Sequence, residues 1–365
     1  MPRSVLIVDD SPTARLALKR ALEGSELQVV GAVATGGEAL ESVERLRPDI
    51  VTMDLFLGKD DGVEVTRSIM ERCPTPILVV TSADTSDAEL SFRIVGAGAL
   101  DVFPKLPGAG HAEYERQRRQ LIRRLQLLSE VPVVTRHRRE ERERRHRRAP
   151  PAAPVPREPR GLGERSEAPT LGLRVGPHPN ARLIVIGAST GGPPELERLL
   201  SRLPAPYPLP IVLVQHISEG FAGPLADWLS TSTGHRVVVA ERSLFPEPGL
   251  VILAPDDRHL VLTSSGRLQP TSEEVPGHNR PSIDHFFSSV AATQPGGTLG
   301  ILLTGMGRDG ARGLAALKRA GGITIVQDPD SALLSSMPRA ALEEEPTALV
   351  AEPGRIADYL RDLEV

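Results

Sequence analysis

Short aliphatic and β-branched runs alternate along the chain with longer stretches whose apolar residues recur at helical spacing. In the first third, the runs that indicate strands are Val5–Val8, Val29–Ala32, Ile50–Met53, Ile77–Thr81 and Leu100–Phe103. Their spacing of roughly 20–25 residues leaves room for a helix after most strands, which is typical of βα units. The pattern therefore predicts an α/β domain with a parallel sheet.

A second series of apolar runs begins near residue 183. Its candidate strands are Leu183–Ile186, Ile211–Val214, Val237–Ala240, Val251–Ala254, Leu260–Thr263, Gly300–Leu303, Thr324–Val326 and Thr347–Val350. Helical stretches separate most of these runs, so we expect a second, doubly wound and mostly parallel sheet. The segment 251–263 is also compatible with a hairpin, because its two runs lie close together.

The segment between the two series divides into a helix and a linker. Tyr114, Leu121, Ile122, Leu125 and Leu128 recur at helical spacing and predict an amphipathic helix that closes the first domain. Beyond this helix the chain is polar and then rich in Pro and Ala, which cannot continue a helix. The predicted organisation is a first domain over residues 1–128, a linker over 129–178 and a second domain over 179–365.

Composition limits the classes of protein to which the chain can belong. Its 365 residues suffice for two domains, 40% of them are hydrophobic, and no apolar run approaches the length of a membrane span. A single cysteine excludes an internal disulfide framework, and the start of the chain has no signal-peptide pattern. We therefore expect a soluble protein of the cytoplasm that is not embedded in a membrane.

The distribution of charge along the chain is more informative than the total net charge of −4. Residues 1–105 carry a net charge of −6, residues 106–180 carry +8, and residues 181–365 carry −6. From Arg136 to Arg148 there are eight Arg, three Glu and two His, which we interpret as a solvated tether. A nucleic-acid-binding arm is the alternative, but the interspersed Glu and the aromatic content of 3% argue against a nucleic-acid partner.

Polar side chains follow the predicted strands of the first domain. Asp9 and Asp10 follow the first strand, Asp54 follows the third, Thr81 ends the fourth and Lys105 follows the fifth. A single Asp at such a place is more often only a helix cap, but in a doubly wound sheet this whole set lies along one edge. Three carboxylates there would repel one another unless a hard cation such as Mg²⁺ lies among them. The hydroxyl and the ammonium group suit a phosphoryl group.

This set resembles the receiver domain of two-component response regulators, a flavodoxin-like fold. The resemblance implies that Asp54 is the phospho-acceptor and that a chemotaxis histidine kinase is the phosphodonor. It also implies that Mg²⁺ is bound by Asp10 and Asp54, with Asp9 acting through water and the Phe56 carbonyl completing the site. In this domain Mg²⁺ is the implied cofactor.

The receiver resemblance extends to the switch residues and includes three departures. Thr81 matches the switch hydroxyl, and Lys105 matches the phosphate-binding lysine. At positions 57–58 the chain has Leu-Gly where the family usually has Met-Pro, and Leu106 follows the lysine where a cis-proline is usual. Val102 takes a position at which an aromatic residue is common.

The most distinctive run of the second domain is at 184–194, which reads IVIGASTGGPP. An apolar strand ends in glycines around one serine and a helix follows, so Ser189 is expected at a sheet edge beside the N–H groups of a helix start. The run matches G-x-S-x-G, which brings an α/β-hydrolase into consideration. A helix cap, a phosphate loop and a dinucleotide-binding turn are the alternatives, although the spacing is not G-x-G-x-x-G.

Two further residues are candidate partners of Ser189 in a catalytic triad. His216 ends the second strand of this domain, and Asp309 lies in a glycine-rich loop, TGMGRDG at 304–310. Taken singly, such a histidine is usually structural and such an aspartate is usually a turn residue. The order Ser, His, Asp differs from that of α/β-hydrolases, but a catalytic triad is recognised by its geometry.

These motifs, together with APDDRH at 254–259, RPSID at 280–284 and SMPRAA at 336–341, resemble the catalytic domain of chemotaxis protein-glutamate methylesterases. A receiver followed by this domain is the order of that family. The resemblance implies a serine carboxylic-ester hydrolase that demethylates glutamates on the cytoplasmic helices of chemoreceptors and deamidates glutamines there. A non-enzymatic regulator that binds nucleic acid is the alternative, which the net charge of −6 opposes.

The same resemblance assigns the catalytic roles. Ser189 would be the nucleophile, His216 the general base, and Asp309 the residue that holds the imidazole. Thr190 and the backbone N–H of Met306 match the family's oxyanion stabilisers. No cofactor is expected in this domain. The family also suggests that the receiver packs over the active-site face and restrains the esterase until it is phosphorylated.

Overall fold

A computed structural model describes residues 2–81, 92–131, 133, 181–275, 279–345 and 348–363. These residues form two α/β units, each built around one sheet whose strands are all parallel. The basic segment Arg136–Arg148 lies outside the described residues, so its interpretation as a tether stays a prediction. In the described part of the chain, no helix is both long enough and apolar enough to span a membrane.

The first unit contains all five strands that its hydrophobic pattern predicts. Its strands are β1 (Arg3–Val8), β2 (Leu27–Val33), β3 (Ile50–Met53), β4 (Phe56–Leu57), β5 (Asp60–Asp61), β6 (Ile77–Thr81) and β7 (Asp101–Pro104). The sheet order is β2-β1-β3-β6-β7, and β4 and β5 form a separate small hairpin. This order is that of a flavodoxin-like doubly wound sheet, which confirms the predicted fold class.

Helices cover both faces of the first sheet. Their bounds are Pro12–Leu22, Gly36–Leu46, Gly62–Arg72 and Tyr114–Leu128, and residues 92–96 are also helical. Leu18 and Leu121 belong to the apolar cluster on one face, and Val43 and Ile69 belong to the cluster on the other. The amphipathic helix predicted from Tyr114 to Leu128 is therefore present and packs with its apolar stripe inward.

The second unit is built around a seven-stranded parallel sheet. The strands of this unit are β8 (Leu183–Ala188), β9 (Ile211–Gln215), β10 (Arg236–Val239), β11 (Leu250–Leu253), β12 (His259–Leu262), β13 (Leu268–Thr271), β14 (Thr298–Leu302), β15 (Ile323–Gln327) and β16 (Leu349–Ala351). All of them except β12 and β13 belong to the seven-stranded sheet. The sheet order is β10-β11-β9-β8-β14-β15-β16. Its helices are Gly192–Leu200, Ala222–Thr233, Ile283–Thr293, Ala311–Arg319, Ser336–Glu344 and Pro353–Arg361. The reversal of strand order beside β8 is the place where doubly wound sheets bind their ligands.

The alternative prediction of a hairpin within residues 251–263 is wrong. β11 joins the main sheet in parallel between β9 and β10, whereas β12 pairs in antiparallel fashion with β13, a strand that the hydrophobic pattern did not predict. The turn between β12 and β13 closes through the N–H of Gly266, which donates to the Thr263 carbonyl at 2.8 Å, and Gly266 has a φ of +77°. Glycine tolerates this left-handed conformation without steric cost, which makes the tight turn possible.

The two units contact each other through apolar side chains. The ring of Phe92, from the first unit, is buried in the core of the second and stacks on Trp228 with centroids 5.7 Å apart. Val102 packs against the cores of both units, and Leu333 of the second unit packs against the core of the first. This contact buries apolar surface from both units.

Candidate active site and phosphorylation site

Ser189 and His216 leave the central sheet side by side. Ala188, the last residue of β8, is paired with Gln215, the last residue of β9, and the His216 N–H donates to the Ala188 carbonyl at 3.0 Å. Neighbouring strands lie about 4.8 Å apart, so the residues that follow this pair begin at nearly the same place. The register of the two strands thus brings the candidate nucleophile and the candidate base together.

The buried amide of Gln215 fixes the backbone at this corner. Its Nε2 donates to the carbonyls of both Ser189 and His216, at 2.8 and 2.9 Å. Each of these residues therefore has its main chain tied to the same side chain. The sequence motif placed Gln215 next to His216 but did not assign it this role, since only the strand register shows which carbonyls it reaches.

His216 and Asp309 form a direct hydrogen bond. His216 Nε2 lies 2.7 Å from Asp309 Oδ2, and both side chains are largely buried. Because the ionised carboxylate can only accept, Nε2 carries a proton, and in the neutral imidazole Nδ1 then has a lone pair. No hydrogen bond joins Ser189 Oγ to the imidazole among the described residues, and catalytic contacts of this kind often tighten only when substrate binds.

The Asp309 carboxylate is held ionised by its surroundings. Burial alone would raise its pKa, but the hydrogen bond from His216 and the N–H groups of Asp284 and Ile283 outweigh burial and lower the pKa to about 2. The Ile283 N–H donates to Oδ2 at 2.8 Å, and the Asp284 N–H donates to Oδ1 at 3.0 Å. A carboxylate at a helix N-terminus is also favoured by the helix dipole.

Two hydrogen-bond donors beside Ser189 have no partner among the described residues. The hydroxyl of Thr190 is buried and unpaired. The N–H of Met306 takes part in no hydrogen bond, although its neighbours do: Gly305 N–H donates to the Leu334 carbonyl and Gly307 N–H to Ser336 Oγ. A buried donor without a partner is costly, so the Thr190 hydroxyl beside the serine favours a site for developing negative charge, and the partly buried N–H of Met306 lies on the adjoining loop.

A glycine allows the loop that carries Met306 to lie against the serine. A Cβ added at Gly305 would come within 2.6 Å of the Ser189 Cβ and would clash with Met337 Sδ. Only a residue without a side chain fits there without a shift of its neighbours. The described structure thus brings Ser189, Thr190 and the 304–310 loop together at one edge of the sheet.

The first unit brings its acidic residues together in the same way. Oxygen atoms of Asp9, Asp10 and Asp54 all lie within 4.8 Å of one another. The Lys105 ammonium lies 2.7 Å from Asp54 Oδ2 and 3.0 Å from Asp9 Oδ2. Three carboxylates and one ammonium leave a surplus of negative charge, which an oxygen-binding cation such as Mg²⁺ would balance. The donor set therefore fits the predicted metal.

The pKa values of this cluster follow from burial and from the neighbouring charges. Burial raises the pKa of Asp54, with Asp9 adding to the effect and Lys105 opposing it. Burial alone would lower the pKa of Lys105, but its hydrogen bonds to Asp54 and Asp9 raise it overall. The hydroxyl of Thr81, the last residue of β6, is buried and has no hydrogen-bond partner among the described residues.

The loop after Asp54 departs from the usual receiver sequence and folds as a hairpin. Gly58, in the position where proline is usual, has a φ of +68°, and its N–H donates to Asp10 Oδ2 at 3.2 Å. Proline has no N–H and could not make this bond. At the Val102 departure, the side chain packs toward the second unit.

Both units line a narrow cleft beside His216. The first unit contributes Phe92, Val95, Leu100, Asp101, Val102 and Arg124, and the second contributes Pro193, Gln215, His216, Ile217, Ser218 and Phe221. The face of the first unit that carries β7 therefore borders the candidate general base. Sequence reasoning did not identify Phe92, because a single aromatic residue in a helical pattern gives no sign of the surface that it contacts.

Comparison with known protein families supports the division of the chain into a receiver-like unit and an esterase-like unit. The family model of the response regulator receiver domain matches residues 5–109, and that of the CheB methylesterase matches residues 184–360. Fold and matches together define a response regulator whose output domain is an enzyme.

Similar proteins narrow the class further. Protein-glutamate methylesterase/protein-glutamine glutaminase 3 of Anaeromyxobacter dehalogenans (strain 2CP-C) is 41% identical over 358 residues, which cover 98% of this chain and 97% of the relative. Protein-glutamate methylesterase/protein-glutamine glutaminase 2 of Methanospirillum hungatei JF-1 is 40% identical over 362 residues, with coverages of 98% and 97%. A crystal structure of the Thermotoga maritima CheB methylesterase catalytic domain is 33% identical, covers 50% of this chain and 98% of that chain, and has a TM-score of 0.48. The chain belongs to the family of chemotaxis protein-glutamate methylesterases/protein-glutamine glutaminases, which confirms the family and the enzyme class predicted from the sequence.

The depressed pKa of Asp309 predicts acid sensitivity of the second unit. A carboxylate with a folded-state pKa of about 2 stabilises the fold above its unfolded pKa, near 4, and that contribution disappears as the pH falls through 2. The contribution is about 2 kcal/mol. Asp309→Asn cannot titrate, so the stability difference between wild type and variant should shrink by about this amount between pH 5 and pH 2. Urea titrations followed by the fluorescence of Trp228, the single tryptophan, measure the free energy of unfolding of both proteins at each pH. Parallel stability curves would contradict the assignment.

Proposed function

We propose that the second unit hydrolyses glutamate methyl esters on the cytoplasmic helices of chemoreceptors by a Ser-His-Asp mechanism. The observation that carries this proposal is the hydrogen bond of 2.7 Å between His216 and Asp309 at the strand end that adjoins Ser189. A methyl ester and a glutamine side chain present the same carbonyl to the serine. Deamidation of receptor glutamine therefore belongs to the same proposal, and the substrate places the reaction in the cytoplasm.

In the proposed reaction, the catalytic residues act one after another. Ser189 Oγ attacks the side-chain carbonyl carbon, and its proton passes to Nδ1 of His216, the nitrogen that Asp309 does not occupy. The Thr190 hydroxyl and the Met306 N–H donate to the oxyanion of the tetrahedral intermediate. His216 then gives the proton to the methoxy oxygen, or to the amide nitrogen of a glutamine, as the bond from that atom to the carbonyl carbon breaks; methanol or ammonia leaves, and the glutamyl group stays on Ser189 as an ester. Water, activated by the same imidazole, releases the free glutamate and restores the serine.

The electrostatic role of Asp309 follows from its pKa. A carboxylate that stays ionised near pH 7 favours the imidazolium that forms when His216 takes the proton. Its hydrogen bond to Nε2 also fixes the tautomer that leaves Nδ1 free to act as base.

Regulation is assigned to the first unit. Asp54 would accept a phosphoryl group from a chemotaxis histidine kinase, and Asp10, Asp54 and the Phe56 carbonyl would hold Mg²⁺, with Asp9 acting through water. The bound cation would neutralise charge on the phosphoryl oxygens. Lys105 and the hydroxyl of Thr81, which has no partner among the described residues, would bind the same oxygens.

The contact between the two units supports restraint of the esterase in the unphosphorylated state. Phe92 and Val102 border the cleft that contains His216, so a receptor helix would have to displace this face to reach the site. Phosphorylation of Asp54 would weaken the contact. The linker allows the two units to separate without leaving each other.

Replacement of the nucleophile should abolish turnover without unfolding the protein. Ser189→Ala removes one oxygen, so the fold should persist while methanol release from a methylated receptor falls by at least about 10³-fold. His216→Ala should be comparably severe, and Asp309→Asn should be damaging because the imidazole loses its tautomer. Methanol release is the measurement, with circular dichroism as the folding control. Turnover of Ser189→Ala near the wild-type rate would exclude this mechanism.

Phosphorylation should occur on Asp54 and should require a divalent cation. A small phosphodonor such as acetyl phosphate should label the wild-type protein in the presence of Mg²⁺ and should fail to label Asp54→Asn. Lys105→Met should take up label but should lose activation, because the phosphoryl oxygens lose their ammonium partner. Phos-tag electrophoresis and methanol release provide the two readouts. Label that persists in Asp54→Asn would place the acceptor elsewhere.

Loss of the Phe92 contact should raise the basal activity. Phe92→Ala removes the ring that stacks on Trp228, and weakening a contact worth about 1 kcal/mol should raise unphosphorylated turnover about five- to tenfold. The fluorescence of Trp228 should change in parallel. Phe245→Ala is the matched control, because Phe245 is 47% exposed and lies outside this contact. Equal basal rates of the Phe92 variant, the control and the wild type would contradict the restraint.

A further inference from the structure

The Asp309 carboxylate accepts a hydrogen bond from a second side chain besides the imidazole. Ser282 Oγ donates to Oδ1 at 3.0 Å, and the other three donors are His216 Nε2 and the N–H groups of Ile283 and Asp284. A carboxylate offers about four acceptor positions, so these donors fill it. Ser282 is the one donor in this set that can be changed without touching the backbone or the candidate base.

Ser282 is itself held on two sides. Its hydroxyl accepts from the His285 N–H at 3.2 Å as the N-cap of the helix Ile283–Thr293. Its N–H donates to Nδ1 of the buried His259 at 3.1 Å. The hydroxyl hydrogen is therefore directed at Asp309, since the N-cap bond occupies one of its oxygen lone pairs.

The His259 ring suits this supporting role. Nδ1 can accept a hydrogen bond only in the neutral ring with its proton on Nε2. Burial lowers the pKa of His259, and the nearby charges of His285 and Arg280 lower it further, against smaller opposing effects of Asp309 and Glu273. The lowered pKa favours the neutral ring, which is the form that accepts from Ser282.

We propose that Ser282 is a positioning residue of the esterase, which acts through Asp309 on the orientation of the His216 imidazole. The chain of contacts runs from His259 to Ser282, to Asp309 and to His216. Loss of the Ser282 hydroxyl leaves Oδ1 with one donor fewer and frees the carboxylate to rotate away from the imidazole. The inference rests on the proposed Ser-His-Asp mechanism and adds Ser282 to the residues on which that mechanism depends.

The N-cap role of Ser282 is structural, and the experiment has to separate it from the positioning role. Ser282→Ala loses both functions, whereas Ser282→Thr keeps a hydroxyl that can cap the helix and donate. Ser282→Cys is close to wild type in size but is only a weak donor. Thr35→Ala is the matched control, since Thr35 is the N-cap of the helix Gly36–Leu46, in the first unit and distant in the fold from the catalytic residues.

Each variant is prepared as the full-length chain and compared in methanol release, in urea denaturation and in the downfield proton resonance of the His216–Asp309 hydrogen bond. Ser282→Ala should lower kcat about tenfold with KM within about twofold, because a hydrogen bond to a charged group is lost while substrate binding is not. Its downfield resonance should shift or broaden. Ser282→Cys should give a smaller loss of kcat, Ser282→Thr should stay within about twofold of wild type, and Thr35→Ala should lose stability with unchanged kcat.

Three results bear on the proposal in different ways. Wild-type kcat and an unmoved resonance in both Ser282→Ala and Ser282→Cys would overturn the positioning role. If Ser282→Ala does not fold, the same comparison is made with Ser282→Cys and Ser282→Thr. If Ser189→Ala and Asp309→Asn retain turnover, the triad itself is wrong, whereas inactive triad variants beside a fully active Ser282→Ala would remove only the role of Ser282.

Discussion

The register between β8 and β9 is the constraint on which the candidate active site depends. Ala188 lies opposite Gln215, so Ser189 and His216 are the first residues beyond the sheet on two adjacent strands. Successive residues of a strand point to opposite faces, so a shift of one residue would turn one of the two side chains away from the other. The amide of Gln215 stabilises this register, because its two N–H groups reach the carbonyls of both residues at once.

Two carboxylates show how the surroundings decide the chemistry of one side-chain type. Asp309 is buried and yet has a pKa lowered to about 2, because an imidazole and the N–H groups of a helix start point at it. Asp54 is also buried, but it faces Asp9 and has a raised pKa in spite of Lys105. Asp309 is thus suited to hold a positive charge on His216, while Asp54 is suited to react and to share a cation with its acidic neighbours.

The sequence predicted both sheets and which strand-end residues would lie together in the two candidate sites, because strand ends in a doubly wound fold converge by topology. Asp9, Asp10 and Asp54 lie together for this reason, as do the peptide segments of Ser189 and His216. The sequence did not predict β13, since Leu268–Thr271 contains a proline and lacks a β-branched run. It also left Ser282 without a role, because that role depends on a contact with Asp309 across 27 positions of the chain.

The strand pair β6 and β7 connects the phosphorylation site with the contact between the units. Thr81 ends β6 and is paired with Pro104 of β7, and Val102 lies two residues earlier on the same strand. Two residues of a strand span about 7 Å, so Thr81 and the Val102 side chain that packs toward the second unit lie close along one strand pair. This contact gives a physical reason for Val102 at a position where receiver domains commonly have an aromatic residue. An aliphatic side chain there fits against the second unit, while Phe103 remains in the core of the first with the Arg124 guanidinium 5.5 Å above its ring. The same short strand thus bears both the surface that restrains the esterase in our proposal and a direct neighbour of the group that would bind phosphate.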